Sequence, residues 1–319
     1  MLKHCIRLFC FTALTFSVGS FAQDDWQSPL ERDHPMVGKV VDLKLQKVIS
    51  PNVLLENLAR AEVILIGEKH DNPDHHMLEQ RILSALAEQP AEVVLEMLDD
   101  SQSSLLTALD REAQGNQLKQ SLQWNDKGWS WESYGPLVEL AVSSGFKLTA
   151  GNLSREQVKK IYQRGSEELT ADDRLTSALS VNDEIKQTLL TEIYEQHCKM
   201  MPRETLHPML SIQLARDARM ASAIVDSEAP QVVLVAGAYH FRKDSDVPLH
   251  LALKNADNRD LAVVMLMEVD SEIDDYDAYL VDQVAAADYV WFTPKSTDRD
   301  YCADLKHSKS DSSSDTSSN

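Results

Sequence analysis

The sequence predicts an α/β protein with a largely parallel central sheet flanked by helices and a smaller inserted helical lobe. Short apolar runs rich in β-branched residues alternate with segments of helical periodicity, which is typical of βαβ units. These runs show no polar alternation, as expected for strands buried on both faces. Residues from about 154 to 205 carry no strand pattern, so we predict that they form the helical lobe.

The predicted elements follow one another in a regular order. Residues 40–43 are a candidate edge strand. Ser50-Pro51 and Asn72-Pro73 each join a capping residue to a proline in the first turn, so each predicts the start of a helix. A long helix is predicted over about 206–226. The other predicted strands are short apolar runs at 63–66, 93–96, 147–150, 232–236, 263–267 and 289–292.

Both ends of the chain are predicted to lie outside the folded domain, which we expect over residues 37–295. Residues 1–22 combine a basic start, an apolar stretch and small residues before a cleavage site near Ala22, the pattern of a secretory signal peptide. Residues 296–319 are rich in serine and aspartate, which predicts a disordered tail. We therefore expect a periplasmic or secreted protein that is soluble after cleavage.

Charge and cysteine content restrict the function further. The chain has 51 acidic and 31 basic residues and a net charge of −20, which argues against nucleic acid as a partner. Cys5 and Cys10 belong to the predicted signal peptide. Cys198 and Cys302 remain and can pair in an oxidising compartment, although the sequence does not determine whether they do.

Two predicted strands end in the same motif, a glycine followed three residues later by a histidine. The strand at 63–66 leads into Gly67 and His70, and the strand at 232–236 leads into Gly237 and His240. The carboxyl ends of parallel strands share one edge of the sheet, where α/β proteins bind ligands. Strand-capping histidines are the alternative, but two such motifs favour a functional site.

Carboxylates accompany both histidines. Glu68 lies inside the first motif, and Glu96 ends an otherwise apolar strand, where a buried carboxylate must be paired or must bind something. His70, His240 and Glu68 are candidate ligands of a divalent metal, because imidazole and carboxylate suit such ions. With Glu96, the same residues can act as general acid and base.

Nearby helices offer further candidates. One of His75 and His76 can reach the same edge, but not both, because adjacent helical residues point about 100° apart. Gln213, Asp217 and Met220 share one face of the long helix, where a buried hydrogen-bonding patch is the favoured interpretation.

The predicted lobe contains residue types that ligate iron. Tyr162 and Tyr194 can supply a phenolate to ferric haem, and His197 lies beside Cys198. Ordinary packing of these side chains is the alternative interpretation. The sequence contains no Cys-x-x-Cys-His, which excludes the usual covalent haem attachment.

The run from Ile66 to His76 resembles the ChaN-like haem-binding uptake family, within the wider group that contains Tiki, TraB and erythromycin-esterase proteins. The segments that carry the same resemblance are Glu96-Met97, the aromatic stretch through Trp131 to Tyr134, Gly151-Asn152-Leu153, Gln213 with Asp217, and Gly237-Ala238-Tyr239-His240.

The resemblance implies an exported protein that binds haem in iron uptake, with paired haems at a homodimer interface and a tyrosine as the iron ligand. Tyr194 and Tyr162 are the candidates for that ligand, with His197 nearby. Outer-membrane or periplasmic haem-transport components are implied as partners. The hydrolase branches of the group imply an alternative, a metal-dependent protease or esterase that uses Glu68, His70, Glu96 and His240.

Overall fold

The structure is a computed structural model that describes residues 26–89, 91–256, 258–273, 276–280 and 286–304. The predicted signal peptide lies outside these residues, as does the part of the predicted tail from residue 305. Among the helices that are described, none has both the length and the apolar character that crossing a bilayer requires.

One eight-stranded mixed sheet forms the centre of the molecule. Its strands are β1 (Val40–Asp42), β2 (Lys47–Ile49), β3 (Val63–Glu68), β4 (Ala91–Asp99), β5 (Lys147–Asn152), β6 (Gln231–Gly237), β7 (Leu261–Glu268) and β8 (Tyr289–Thr293). They lie in the order β2-β1-β8-β7-β3-β6-β4-β5. The strands from β3 to β8 pair in parallel, and β1 and β2 add an antiparallel edge. The predicted α/β class is therefore confirmed.

Helices pack on both faces of this sheet. They are α1 (Pro51–Leu58), α2 (Pro73–Leu86), α3 (Ser103–Thr107), α4 (Gly115–Ser121), α5 (Trp131–Ser143), α6 (Arg155–Arg164), α7 (Ser166–Ala171), α8 (Asp183–Gln196), α9 (His207–Val225), α10 (Val247–Leu253) and α11 (Tyr276–Leu280). In β3, Ile64 and Ile66 join a core that includes α1, α2 and α5. Val63 and Leu65 join a second core with α9 and α10, which explains why β3 is apolar on both faces from Val63 to Ile66.

A third, smaller core holds the helical segment between β5 and β6 together. Its buried residues come from α6, α7, α8, the first half of α9 and the 3₁₀ helix Asp173–Ser180. This core lies beside the carboxyl end of the sheet, because it includes Leu153, which directly follows β5, and because Gln213 of α9 contacts His240 just beyond β6. The helical segment therefore packs next to the carboxyl ends of β5 and β6.

Local capping explains the helix starts, whereas the edge of the sheet differs from the prediction. The side chains of Ser50 and Asn72 accept hydrogen bonds from the first turns of α1 and α2.

The predicted edge strand at 40–43 lies instead between β2 and β8, because the short strand β2 covers it. Lys47 and Val48 of β2 are exposed, so β2 has no apolar pattern that the sequence could reveal.

The segment that follows β8, residues 294–304, is here called the C-terminal strap. The backbone N–H and Oγ of Ser296 donate to Glu268 Oε1 at 2.8 and 2.7 Å. Cys302 forms a disulfide with Cys198, just beyond α8 and 104 residues earlier in the sequence. The predicted tail differs from the structure over residues 296–304, because the disulfide and the Glu268 contacts fix a segment that has almost no apolar residues.

Candidate functional site

The register of the sheet brings the two Gly-x-x-His motifs together. β6 lies between β3 and β4, and Glu68 is paired with Gly237. Glu96 follows Leu95, which is paired with Val235 of β6. The ends of three neighbouring strands therefore place both motifs and the second glutamate at one rim of the sheet, as the sequence predicts.

Five side chains form a continuous row along this rim, here called the carboxylate–imidazole row: Glu68, His70, Glu96, His240 and Asp217. His70 Nδ1 lies 2.5 Å from Glu68 Oε1, and its Nε2 lies 3.9 Å from Glu96 Oε2. His240 Nε2 lies 3.6 Å from Glu96 Oε1, and its Nδ1 lies 2.5 Å from Asp217 Oδ1. Acids and imidazoles thus alternate, and Glu96 contacts both motif histidines.

The two glutamates of the row are held in the ionised form. Burial opposes their ionisation, but the imidazoles of His70 and His76 outweigh it and lower the pKa of Glu68 to about 2. Burial likewise opposes ionisation of Glu96, whose pKa falls to about 2 because of His240, His70 and the backbone N–H of Gly237, which donates at 2.9 Å.

Neighbouring carboxylates favour the protonated form of both histidines. Burial alone would lower the pKa of His240, but Asp217 and Glu96 raise it to about 10. Burial also lowers the pKa of His70, but Glu68 and then Glu96 raise that pKa above its ordinary value. His240 is therefore protonated at neutral pH, and the carboxylates beside His70 favour its imidazolium form, whereas burial raises the pKa of Asp217.

The glycines of the two motifs are needed because other side chains approach their backbone closely. A Cβ atom at Gly237 would lie 2.8 Å from His70 Nε2. At Gly67 it would lie 2.7 Å from the sulfur of Met265 and 2.8 Å from Phe241. Glycine at position 237 thus lets the ring of His70 lie across β6 and reach Glu96.

Three side chains behind Glu68 complete the site, and two of them, Tyr134 and Glu79, are not among the site residues that the sequence predicts. The hydroxyl of Tyr134 donates to Glu68 Oε1 at 2.7 Å, and His76 Nε2 lies 3.4 Å from Oε2. Glu79 is fully buried, and burial together with the charge of Glu68 raises its pKa well above the usual range. Its place four residues after His75, on the buried face of α2, was the available signal.

A cavity of about 850 Å³ opens beside the row and is here called the rim cavity. Its floor includes Met265, Leu266 and Met267 of β7, and His70 lies on its wall. Two tyrosines, Tyr239 and Tyr301, also line it and are 66% and 43% exposed. The other lining residues are Glu68, Lys69, Asp71, His75, Glu192, Gly237, Ala238, Arg242, Asp246 and Glu268.

The remaining candidate residues lie on α2 and on α9. His76 contacts Glu68 and His75 lines the rim cavity, so both adjacent histidines reach the site, contrary to the prediction. His75 is buried, accepts from the backbone N–H of Lys69 at 2.8 Å and contacts Thr293 Oγ1 at 3.0 Å. Asp217, predicted as part of a hydrogen-bonding patch, lies in the row, and Gln213 Nε2 is 3.1 Å from His240 Nδ1.

The three haem-ligand candidates of the lobe do not line the rim cavity. Tyr162 is 53% exposed on α6. Tyr194 lies on α8, and His197 Nδ1 lies 2.8 Å from the carbonyl oxygen of Ile193. The structure thus brings Glu68, His70, Glu96 and His240 together but leaves the lobe candidates apart from them.

The predicted divalent-metal site finds no support. In the part of the chain that the structure describes, no group of three or more His, Cys, Asp or Glu side chains is arranged to hold a metal ion. The ring nitrogens of His70 and His240 face carboxylates, and these carboxylates share the imidazoles between them.

The chain belongs to the family of haem-binding uptake proteins of the Tiki superfamily, ChaN, whose family model matches residues 54–251. Among solved structures, it is similar to ChaN of Campylobacter jejuni, reported with cofacial haem binding. The two chains are 29% identical, the match covers 79% of this chain and 95% of that one, and the TM-score is 0.65. The predicted family is therefore confirmed.

Two further solved structures match at greater distance. The type III effector HopBA1 is 12% identical with a TM-score of 0.41, over 86% of this chain and all (100%) of that one. A mutant of the erythromycin esterase EreC in its open conformation is 13% identical with a TM-score of 0.44, over 83% of this chain and 99% of that one. A comparison with curated proteins gives no match.

Proposed function

We propose that this protein binds haem in the rim cavity and serves haem or iron uptake as an exported protein. The observation that carries the proposal is the composition of the cavity. Its volume of about 850 Å³ is within the usual range for small-molecule and cofactor sites. The apolar floor on β7 suits a flat macrocycle, and the exposed tyrosine Tyr239 supplies a phenol that can ligate ferric iron.

The charges around the cavity favour one orientation of the ligand. Glu68 is ionised in the interior, so the propionates of haem would be repelled there. Lys69 and Arg242 lie on the cavity wall and are each partly exposed. The macrocycle therefore enters with its apolar edge first, and its propionates lie near these two cations.

Paired binding between two copies of the chain is part of the proposal. Its support is the similarity to ChaN of Campylobacter jejuni, whose structure is described as cofacial haem binding. Tyr239 is the most exposed of the large apolar and aromatic side chains that line the cavity, so a second copy can cover it. Transfer to outer-membrane or periplasmic haem-transport components would then complete uptake.

The test is a hemin titration of the purified mature protein, followed by absorbance in the Soret region. We expect saturable binding at micromolar hemin and a dimer in sedimentation when hemin is bound. Tyr239→Phe removes one hydroxyl from the cavity and should shift the Soret band. Tyr194→Phe and Tyr162→Phe remove the same group from the lobe and should leave the spectrum unchanged.

Each result has a defined meaning. A lack of saturable binding by the wild-type protein would show that the proposed function is wrong. A spectral change in Tyr194→Phe or Tyr162→Phe, with none in Tyr239→Phe, would place the haem on the lobe instead of in the cavity.

A second candidate, hydrolysis, is favoured by the carboxylate–imidazole row itself. Buried ionised acids are costly to maintain, and a row of them that ends at a cavity is typical of acid–base sites. Because the charge of His70 is stabilised by Glu68 and Glu96, the ring would act first as a proton donor to a leaving group. Turnover of ester substrates that is lost in His70→Gln, with hemin binding retained, would support this candidate.

A further inference from the structure

The C-terminal strap closes one side of the rim cavity. It leaves the sheet at Pro294, is fixed to the end of β7 by Ser296 and Glu268, and reaches the lobe at the disulfide between Cys302 and Cys198. Tyr301 precedes the disulfide and lines the cavity together with residues of β3, β6 and β7. A segment beyond the sheet thus supplies an aromatic wall to a site formed mainly by strand ends.

We propose that Tyr301 is a ligand-contacting residue of the rim cavity and that the Cys198–Cys302 disulfide holds it in place. The inference rests on the proposed function, because it assigns a further contact to the same bound molecule. It also concerns a part of the chain that the family model, which matches residues 54–251, does not include.

The non-covalent contacts of Tyr301 are confined to the surface. Its hydroxyl donates to Asp71, and Lys69 and Arg299 lie over its ring with their cationic groups 5.9 and 5.5 Å from the centroid. Lys69 and Asp71 are both partly exposed. Exposed charged contacts contribute little to stability, since water competes for them. The covalent link next to Tyr301 is therefore the strongest restraint on its position.

The chemistry of this wall fits a flat, conjugated ligand with carboxylate groups. The ring of Tyr301 is 43% exposed and offers aromatic surface to a ligand, and the ammonium group of Lys69 lies over the ring. Tyr239, which also lines the cavity, offers a second exposed aromatic ring. A planar macrocycle in the cavity would contact these two aromatic rings, and one of its carboxylates would pair with Lys69.

The experiment compares hemin affinity in the full mature chain and in four variants. Tyr301→Ala keeps the disulfide and removes the ring, and we expect hemin binding about tenfold weaker. Tyr301→Phe keeps the ring and should stay within about twofold of the wild type. Cys198→Ser/Cys302→Ser should match Tyr301→Ala, because an untethered strap must be ordered when the ligand binds.

Both cysteines are replaced together because a single free thiol could itself ligate haem iron. The matched control is Lys295→Ala, a strap side chain that pairs with Asp298 and does not line the cavity. Its hemin affinity should equal that of the wild type. Hydrogen exchange over residues 296–304 should be about tenfold faster in the double serine variant than in Tyr301→Ala.

The outcomes separate the inference from the proposed function. Wild-type affinity in both Tyr301→Ala and the double serine variant, beside a wild type that binds hemin, would overturn the inference alone. Tighter binding in these variants would also overturn it, because the strap would then obstruct the cavity. A wild type that binds no hemin would overturn the proposed function and the inference together. If the double serine variant fails to fold, Tyr301→Ala still decides.

Discussion

The two Gly-x-x-His motifs share their spacing and their place on neighbouring strands, yet their histidines differ in environment. The side chain of His70 is 44% exposed and lies on the rim cavity, whereas that of His240 is 6% exposed. His240 lies between two carboxylates, Asp217 of α9 on one side and Glu96 on the other. The same local pattern thus produces one imidazole that can meet a ligand and one buried charge that positions Glu96.

This difference comes from residues outside the motifs. α9 packs against the second core and brings Asp217 to His240, whereas the ring of His70 lies over Gly237 at the edge of the cavity. A repeated motif therefore does not imply a repeated role.

The largest effect is expected on stability. His240→Ala leaves Glu96 and Asp217 as buried carboxylates without their shared imidazole, and should lower the free energy of unfolding by about 3–5 kcal/mol. His70→Ala should cost about 1–2 kcal/mol, because Glu68 keeps Tyr134 and His76. Urea unfolding followed by circular dichroism measures both. Equal losses would contradict the contrast.

The pH dependence of stability should show the same contrast. The pKa of His240 is about 10 in the folded protein against an ordinary 6.5, so its stabilisation is complete below pH 6.5 and is lost as the pH rises through 10. For Glu68 and Glu96, with a pKa of about 2 against 4.5, stabilisation is present above pH 4.5 and is lost as the pH falls through 2.

Replacing His240 tests this assignment. Each group changes the free energy of unfolding by up to about 1.4 kcal/mol per pH unit within its window. His240→Gln should remove most of the loss between pH 6.5 and 10, whereas His70→Gln should leave most of it. Urea unfolding across that range is the measurement. An unchanged alkaline slope in His240→Gln would show that another group causes it.

Tyr134 should affect only the part of the site around Glu68 and His70, and not His240. Tyr134→Phe removes the hydroxyl that donates to Glu68 at 2.7 Å, and should cost about 1.5–3 kcal/mol because the acceptor is charged and buried. The pKa of Glu68 should rise, so the acid-unfolding midpoint should move to higher pH. The loss of stability at alkaline pH that is assigned to His240 should be unchanged. A change in both the acid-unfolding midpoint and the alkaline loss would contradict this prediction.

The motif glycines provide the smallest and most local test. Gly67→Ala places a Cβ against Met265 and Phe241 in the core and should cost about 1–3 kcal/mol. Gly237→Ala should cost about 1 kcal/mol or less, since His70 can swing into the rim cavity. That movement should lower the pKa of His70 towards its ordinary value, as measured by NMR titration. A wild-type pKa in Gly237→Ala would contradict the close approach.

Much of the site could be predicted from local sequence. Apolar runs buried on both faces indicate central parallel strands, and the residues that follow such strands lie at one edge of the sheet. That reasoning found Glu68, His70, Glu96 and His240. The sequence singles out Tyr134 only within the aromatic stretch that carries the family resemblance, because a tyrosine that supports a carboxylate has the same helical spacing as one that packs in the core.

The sequence by itself determined the α/β class, the helix starts and the rim residues, because each depends on short-range patterns of polarity and capping. Only the tertiary structure decided the strand order, the partner of each histidine and the fixation of Tyr301 by a disulfide that spans 104 residues. Such contacts join segments far apart in the chain. They depend on how whole helices and strands pack, and no local pattern encodes that.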